Sequence, residues 1–368
     1  MKIGYIVHNL NDPAVERRCQ MLERGGAEVA LAGFCRDDSL APAIARRNPM
    51  QLGASADAAM VQRALMTLRN VAFHSKLAAY CADCDAIMTR NLEQLAIASA
   101  FVGQRALIYE CLDIHRSLTA TSAPARAVQF VENQLLPRVD LLLTSSPAFL
   151  SHHFDNTALA APSYLIENKL LVEEGAAPVP RQPTSDEPIV IGWFGMLRCK
   201  RTLAFLSDLT ARSNGRITAL ICGKPSPAEL PGIEDHVAAT PGLTYTGPYT
   251  YADLPDLYGR CHFAWAIDWF EEGLNSSWLL PNRIYEAIAH GAVPIALANV
   301  EVGRWLERHA VGLRVKDGDD ARDQLLLMPK LDVRRLQAEV AKVDARAVIA
   351  DSRDCEELVQ AIMKASVR

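Results

Sequence analysis

Four residues near the middle of the second half have types and spacing that suit a phosphate and a sugar hydroxyl. Pro281 fits the first turn of a helix, because a residue there has no intrahelical N–H bond to lose. Asn282 and Arg283 then lie in a turn whose free N–H groups and partial positive charge favour an anion. Glu286 follows Arg283 by three residues and shares its helix face. Arg283 is therefore predicted to bind phosphate and Glu286 a sugar hydroxyl; alternatively, Glu286 pairs with Arg283.

A second cluster of charge follows a predicted strand at 189–194. Arg198, Lys200 and Arg201 come just after it, on a loop predicted to begin with Gly195. Three cations within four residues suit a diphosphate and the charge that it carries away as a leaving group. The alternative is a solvated basic turn. We favour a donor-phosphate role for Gly195, Arg198 and Lys200 because Arg283 is predicted to lie at a strand end of the same domain.

Small and polar residues complete the candidate donor site. Gly223 follows a predicted strand at 217–222 and is interpreted as a close-approach turn, where a base or ribose lies against the backbone. Asn275 and Ser276 form a polar turn shortly before Pro281 and are included in the donor site. The nearby tryptophan at position 278 is better explained by packing than by stacking on a ligand.

In the first half, acidic and basic groups leave the end of one predicted strand together. The strand at 106–110 runs into Glu110, Asp113, His115 and Arg116. In open α/β sheets the ligand crevice lies at the carboxyl ends of the strands. A carboxylate beside an imidazole can have its pKa tuned for proton abstraction. Asp113 is therefore the first candidate for a catalytic base, with Glu110 and His115 behind it.

The elements that must position these groups alternate between strand and helix. A buried strand at 2–10 is followed by a helix that starts at Asp12-Pro13 and by a strand at 28–34. The same alternation restarts at 189. The sequence therefore predicts an α/β protein with two Rossmann-like, doubly wound domains. The segment HNLNDP occupies the place of a GxGxxG loop, which argues against a dinucleotide at the first turn.

Composition divides the chain into four parts. Residues 1–172 form the predicted N-terminal, acceptor-side domain, and 173–188 are rich in Pro, Ala and charge, as in a linker. Residues 189–345 form the predicted nucleotide-sugar domain. Residues 346–368 are predicted to be a C-terminal helix that could pack back on the first domain.

Charge and hydropathy exclude several classes of protein. The net charge of −5 over 368 residues gives no general nucleic-acid footprint. No run of 18 apolar residues predicts a transmembrane helix, and the start, MKIGYIVHNL, resembles a first strand rather than a signal peptide. We therefore expect a cytoplasmic protein. The nine scattered cysteines are expected to be reduced thiols, although Cys81 and Cys84 form a CxxC.

One amphipathic segment carries basic residues. Residues 59–80 are predicted to be helical, with Arg63, Arg69 and Lys76 on or near the polar side. The simpler interpretation is a helix that covers the sheet. The alternative is a basic surface that faces a membrane or an anionic acceptor.

Several segments together resemble a known family. GMLRCKR, with NSSWLLPNRIYEAIAHGAVPIA, is similar to bacterial exopolysaccharide glycosyltransferases of the succinoglycan-biosynthesis ExoL kind. In the first half, YECLDIHR, TSSPAFL and IENK share the resemblance, so it involves most of the chain. The stretch around Pro281 is the most specific of these motifs.

This resemblance implies a GT-B fold, in which two Rossmann-like domains face each other across a cleft. A nucleotide-diphospho-sugar, with UDP favoured, would bind mainly to the second domain. Arg198, Lys200 and Arg283 would hold the diphosphate and Glu286 the ribose. The acceptor, a saccharide or a polyprenyl-diphosphate-linked saccharide, would enter from the first domain, with peripheral contact at the inner membrane. Neither a cofactor nor a divalent metal would be required.

The sequence departs from the family pattern at one position. Many retaining relatives carry a second carboxylate eight residues before the helix carboxylate, and Trp278 stands there. Retention and inversion therefore both stay open. Two other functions also stay open, namely a sugar-nucleotide epimerase of the same fold and a non-catalytic nucleotide-sugar-binding protein. An epimerase would consume donor without acceptor, whereas a binding protein would release no nucleotide with any acceptor.

Overall fold

The structure is a computed structural model of the 368-residue chain. It describes residues 1–37, 39–54, 60–172 and 188–367, together with 178, 180 and 183, but not the side chains of 54 and 60–65. Most of the predicted linker, 173–188, therefore lies outside the described residues. The chain divides into two compact units, which are 1–167 with 351–368 (unit 1) and 168–350 (unit 2).

Unit 1 begins as a strict alternation of strand and helix. Its elements, in chain order, are β1 (Lys2–Val7), α1 (Pro13–Arg24), β2 (Glu28–Cys35), α2 (Pro42–Ala45), β3 (Met50–Ala54), α3 (Met60–Ala72), α4 (Ser75–Tyr80), β4 (Ala86–Arg90), α5 (Leu92–Ser99), β5 (Ala106–Cys111), α6 (Arg116–Thr119), α7 (Ala123–Leu135), β6 (Leu141–Thr144), α8 (Pro147–His152) and β7 (Ser163–Leu165).

The seven strands of unit 1 form one parallel sheet in the order β3-β2-β1-β4-β5-β6-β7. Its central strands are buried along almost their whole length, as expected when helices cover both faces of a parallel sheet. The order reverses direction at β1, so the carboxyl ends of β1 and β4 lie next to each other at a topological switch point.

Unit 2 repeats this architecture. Its elements are β8 (Leu170–Leu171), β9 (Ile189–Leu197), α9 (Lys200–Arg212), β10 (Ile217–Pro225), α10 (Ile233–Ala238), β11 (Leu243–Tyr245), α11 (Leu254–Gly259), β12 (Phe263–Trp265), α12 (Asn275–Trp278), α13 (Asn282–Ala289), β13 (Val293–Leu297), α14 (Glu301–Arg308), β14 (Leu313–Val315), α15 (Gly318–Leu327), α16 (Lys330–Val340), α17 (Ala345–Val348) and β15 (Ile349–Ala350). Six strands pair in the order β11-β10-β9-β12-β13-β14, all parallel.

The predicted α/β class with two doubly wound parallel sheets is confirmed. Strands β9 and β10 were both predicted three residues too short, and β3 was not predicted. Strand β9 continues through Gly195 to Leu197 instead of ending at residue 194, because it pairs in register with an equally long β10. Strand β3 has only five residues, MQLGA, and lies at the sheet edge, so its sequence is too short to predict a strand reliably.

The last helix, α18 (Ser352–Ser366), belongs to unit 1. It packs against α1 at Gly25, where an added Cβ would stand 2.3 Å from the Cys355 carbonyl oxygen. Gly25 therefore permits a backbone approach that any side chain would block. The Asp351 side chain and Asp354 form a capping box that fixes where α18 begins.

The single helix predicted for 59–80 is wrong in one respect. Two helices, α3 and α4, occupy 60–80 and are separated by a turn at Phe73 and His74. Across the described residues, none of the helices is both long and apolar enough to cross a bilayer. The nine cysteines are all buried free thiols.

Candidate functional site

Two glycines and one arginine meet where β9 and β10 end in unit 2. Gly195 and Gly223 are register partners, and both have positive φ angles, +111° and +142°. A Cβ on Gly223 would stand 1.8 Å from the Gly195 carbonyl oxygen, and one on Gly195 would stand 3.9 Å from Arg283 Nη2. The close approach predicted at Gly223 is therefore made by a neighbouring strand. The Arg283 guanidinium faces the backbone of Gly195.

Helix α13 begins one residue later than the sequence suggested. Pro281 is its N-cap, with extended backbone, so Asn282 and Arg283 are its first two residues. The proline side chain cannot accept a hydrogen bond, so it offers no cap to the N–H groups of the first turn. Arg283 forms no ion pair with any carboxylate of the described chain. The helix end and the guanidinium therefore supply positive charge at one place.

Glu286 is buried and lies on the inner side of the same helix. Tyr258 Oη donates a hydrogen bond to Glu286 Oε2 over 3.2 Å and lies 3.4 Å from the Arg283 carbonyl oxygen. Burial first, and then the Glu286 charge, raises the pKa of Tyr258 well above its ordinary value. Tyr249 lies in the same surroundings, and burial and Glu286 raise its pKa as well. Both phenols therefore stay protonated, and that of Tyr258 donates to Glu286.

The three cations of the predicted basic loop have three different ion-pair partners. Arg198 Nη2 lies 3.6 Å from Asp268 Oδ2, and its guanidinium covers the Phe270 ring. Lys200 and Arg201 are the first residues of α9 rather than loop residues, and both are exposed. The predicted loop is therefore wrong, because the strand runs to Leu197 and the helix begins at Lys200. The predicted donor-binding role of these cations stays a prediction. Lys200 pairs with Glu229 at 3.6 Å and Arg201 with Glu272 at 2.8 Å.

The predicted polar turn is the short helix α12. Asn275 and Ser276 are both buried in it. Ser276 Oγ accepts a hydrogen bond from the Glu271 N–H over 3.1 Å, and Ser277 Oγ accepts one from the Gly273 N–H over 2.8 Å. These hydroxyls therefore shape the loop that carries Asp268, the partner of Arg198. Trp269 packs against Phe205 and Trp265, as expected for a core residue.

Glu110 is fully buried in unit 1 and is held by charged neighbours. It accepts hydrogen bonds from Tyr5 and from Arg18 Nε, the latter over 2.5 Å, and Arg90 Nε lies 3.8 Å away. Burial raises the pKa of Glu110, but Arg18 and Arg90 outweigh it and hold that pKa below its ordinary value. The carboxylate therefore neutralises two buried arginines, which favours a structural role over proton abstraction.

Asp113 and His115 follow β5 and are both exposed. They line one cavity of about 440 Å³ within unit 1. His115 Nδ1 accepts a hydrogen bond from the Ser117 N–H and caps α6, which leaves Nε2 outside this cap. The rest of the cavity wall is mostly apolar and comes from helices α3, α5, α6 and α7, with Leu68, Val71, Leu92, Ala96, Leu118, Val128 and Val131.

Sequence reasoning missed the residues that hold these groups in place. Tyr258 stands 28 residues before Glu286, and its position in a short helix gives no sign of that contact. Arg18 stands 92 residues before Glu110. Arg18 occupies the buried face of an otherwise amphipathic helix, and a cation at such a position is a signal that could have predicted a buried carboxylate partner.

One relative matches almost the whole chain. The succinoglycan biosynthesis protein ExoL of Rhizobium meliloti (strain 1021) is 38% identical over 373 residues, which cover 98% of this chain and 93% of that protein. No protein-family model matches the chain.

Solved structures show the same fold. HepE from Anabaena, in complex with UDP-glucose, has a TM-score of 0.70 at 15% identity and covers 99% of this chain and 100% of its own. Sucrose-phosphate synthase from Thermosynechococcus elongatus has a TM-score of 0.63 at 17% identity, over 100% of this chain and 97% of its own. At these identities the likeness establishes the architecture alone, and the predicted GT-B fold is confirmed.

Proposed function

The chain belongs to the glycosyltransferase family of the succinoglycan biosynthesis protein ExoL, and from this membership we propose that it moves a sugar from a UDP-sugar to a saccharide or polyprenyl-diphosphate-linked acceptor. The reaction would serve bacterial surface polysaccharide biosynthesis. It would take place in the cytoplasm, with peripheral contact at the inner face of the membrane.

The observation that carries the donor assignment is the position of Arg283. Its guanidinium lies at the start of α13 and faces the Gly195 backbone. Neither Gly195 nor its register partner Gly223 has a side chain that would occupy this space. Guanidinium and helix N-terminus together favour the two charges of a diphosphate. Glu286 lies one turn further along the helix and would accept hydrogen bonds from the ribose hydroxyls. The likeness to HepE, which was solved with UDP-glucose, supports UDP as the nucleotide.

Asp113 is the proposed base for the acceptor. It is exposed and borders the cavity of about 440 Å³, whereas Glu110 is buried and bound by two arginines. In an inverting reaction, Asp113 takes the proton of the acceptor hydroxyl, whose oxygen attacks the anomeric carbon of the donor sugar. The bond from that carbon to the diphosphate oxygen breaks, and UDP leaves with its charge stabilised by Arg283.

The mostly apolar cavity supports an acceptor that carries an apolar group beside its sugar. Leucine, valine and alanine side chains form most of its wall, and Asp113, His115 and Glu93 are among its polar groups. Such a wall gains little from a purely polar oligosaccharide and much from a hydrocarbon chain. This arrangement favours the lipid-linked acceptor over a free saccharide.

The proposal is tested in two steps. Thermal shift with UDP, GDP and ADP first identifies the nucleotide, and stabilisation by UDP is expected. UDP-glucose, UDP-galactose and UDP-N-acetylglucosamine are then incubated with octyl β-glucoside or octyl β-galactoside as surrogate acceptors, and UDP release and glycoside extension are measured. Acceptor-dependent release is expected. Isomerised donor without acceptor would instead establish an epimerase, and UDP binding with neither product would establish a binding protein.

A further inference from the structure

The charges of unit 1 are unevenly distributed over its helices. The segments 60–80 and 116–138 contain six cations, Arg63, Arg69, Lys76, Arg116, Arg126 and Arg138, and a single acid, Glu132. The chain as a whole has a net charge of −5. Glu132 is buried and lies 3.0 Å from His153 Nε2, so it offers no charge to solvent. The described cations of these two segments are all exposed.

Large apolar side chains are exposed on the same helices. Leu68 of α3 is 64% exposed and Phe130 of α7 is 65% exposed. Val131, beside Phe130, is also exposed and lines the same cavity as Leu68, so α3 and α7 border one groove. Phe73 is exposed at the end of α3. A monomeric soluble surface rarely gathers such side chains without a partner.

We propose that one face of unit 1, made by α3, α6 and α7, binds the surface of a bilayer that contains anionic lipids. We call it the docking face. Leu68, Phe73 and Phe130 enter the boundary between headgroups and hydrocarbon. Arg69, Arg116 and Arg126 stay among the anionic headgroups. The combination of apolar anchors and flanking cations on helices is that of an interfacial, not a spanning, element.

Charge and exposed apolar side chains together decide whether a membrane or a second copy of this chain occupies the docking face. A chain of net charge −5 whose docking face is cationic could pair with another surface of its own copy. Exposed phenylalanine and leucine beside a groove with a mostly apolar wall instead favour a partner that supplies hydrocarbon and negative charge together. An anionic bilayer supplies both. The membrane contact of the proposed function is thereby assigned to a particular surface. The assignment rests on the proposed function only for the biological role of that contact.

The placement would bring the acceptor cavity to the membrane. The groove that Leu68 and Val131 border also has Asp113 and His115 in its wall. The sugar of a lipid-linked acceptor could then reach Asp113, the proposed base, while the hydrocarbon part of the acceptor stays in the bilayer.

The experiment measures flotation of the full chain with vesicles of phosphatidylcholine alone or with 30% phosphatidylglycerol, each at low and high salt. The wild type is expected to bind the anionic vesicles, and less tightly at high salt. The double variant Leu68→Ser/Phe130→Ser is expected to bind at least about tenfold more weakly at both salt concentrations, because each side chain loses its apolar burial. Arg69→Gln/Arg126→Gln should lower binding by roughly fivefold for each cation at low salt only.

A matched control is available in unit 2. Leu327 and Leu331 are 79% and 75% exposed and lie outside the docking face, so Leu327→Ser/Leu331→Ser should bind vesicles as the wild type does. An unchanged circular dichroism spectrum and an unchanged midpoint of thermal unfolding show that each variant is folded. Vesicle binding is measured without turnover, so a chain that transfers no sugar would still test the docking face.

Three results would overturn the inference. The wild type would fail to bind the anionic vesicles, or the docking-face and control variants would bind equally. In the third, wild-type dimers seen by analytical ultracentrifugation would become monomers in Leu68→Ser/Phe130→Ser without any vesicle binding, which would assign the face to self-association.

Discussion

Gly223 lies so close to Gly195 that a Cβ on Gly223 would stand 1.8 Å from the Gly195 carbonyl oxygen. Its φ of +142° is also outside the range that other residues adopt. Strands β9 and β10 can therefore stay paired beyond this point, as far as Leu197 and Pro225, only because both residues are glycine. The Arg283 guanidinium faces the Gly195 member of this pair.

Gly223→Ala should reduce the free energy of unfolding by about 3 kcal/mol, because both the contact and the φ angle must change. Gly215 is the matched control, since it also has a positive φ, +79°, but no atom of the part of the chain that the structure describes lies within 4 Å of its added Cβ. Gly215→Ala should cost only about 1 kcal/mol. Urea unfolding measures both. Equal losses would show that the approach to Gly195 is unimportant.

Arg283→Ala should weaken UDP binding by roughly 10- to 100-fold, because a charge-assisted contact to phosphate is lost. Lys200→Ala is the control from the same predicted site. Lys200 is exposed and paired with Glu229, so its loss should change the UDP affinity by less than about threefold. Isothermal titration calorimetry with UDP decides. A large loss with Lys200→Ala would restore the basic loop as one diphosphate cluster.

Asp113→Asn should reduce the turnover number by about 10² to 10⁴-fold with unchanged UDP binding and stability, as expected for loss of a general base. Glu110→Gln should behave differently. It leaves Arg18 and Arg90 without their buried carboxylate and should cost roughly 3 kcal/mol of unfolding free energy. Transfer rates and urea unfolding of both variants separate the roles. Wild-type turnover in folded Asp113→Asn would remove it as the base.

His290 should make the protein sensitive to acid. It is buried, neither ring nitrogen has a hydrogen-bond partner among the described residues, and burial lowers its pKa from 6.5 to about 4. The unfolded chain therefore binds the proton more tightly, and the free energy of unfolding should fall as the pH drops from about 6.5 to 4. The loss for this one group is roughly 2–3 kcal/mol.

His290→Phe should flatten that part of the pH profile, because the ring still stacks on Tyr258 but cannot take up a proton. Urea unfolding between pH 4 and 7 measures it. His8, whose pKa is also about 4, is present in both proteins and cancels in the comparison. An unchanged slope in His290→Phe would show that other groups cause the acid sensitivity.

The sequence alone determined the class of the fold and predicted one compact group of residues for the proposed donor site. Buried strands with helices between them have a local pattern, so the central strands of both sheets were predicted at the right places in the chain. The predicted carboxyl ends of β1, β9 and β10 each differ from the observed ones by three residues. The group from Pro281 to Glu286 could be predicted as one site for the same reason, because residues three apart on a helix share a face wherever the helix lies.

Only the tertiary structure decided what each charged group contacts. Glu110 and Asp113 are neighbours in sequence, yet one is buried between Arg18 and Arg90 and the other is exposed beside a cavity. Arg198 and Lys200 likewise point to different partners, since α9 begins between them. Distant segments supply these partners, and the burial of each group depends on them. No local pattern could therefore have distinguished the buried carboxylate of Glu110 from the exposed one of Asp113.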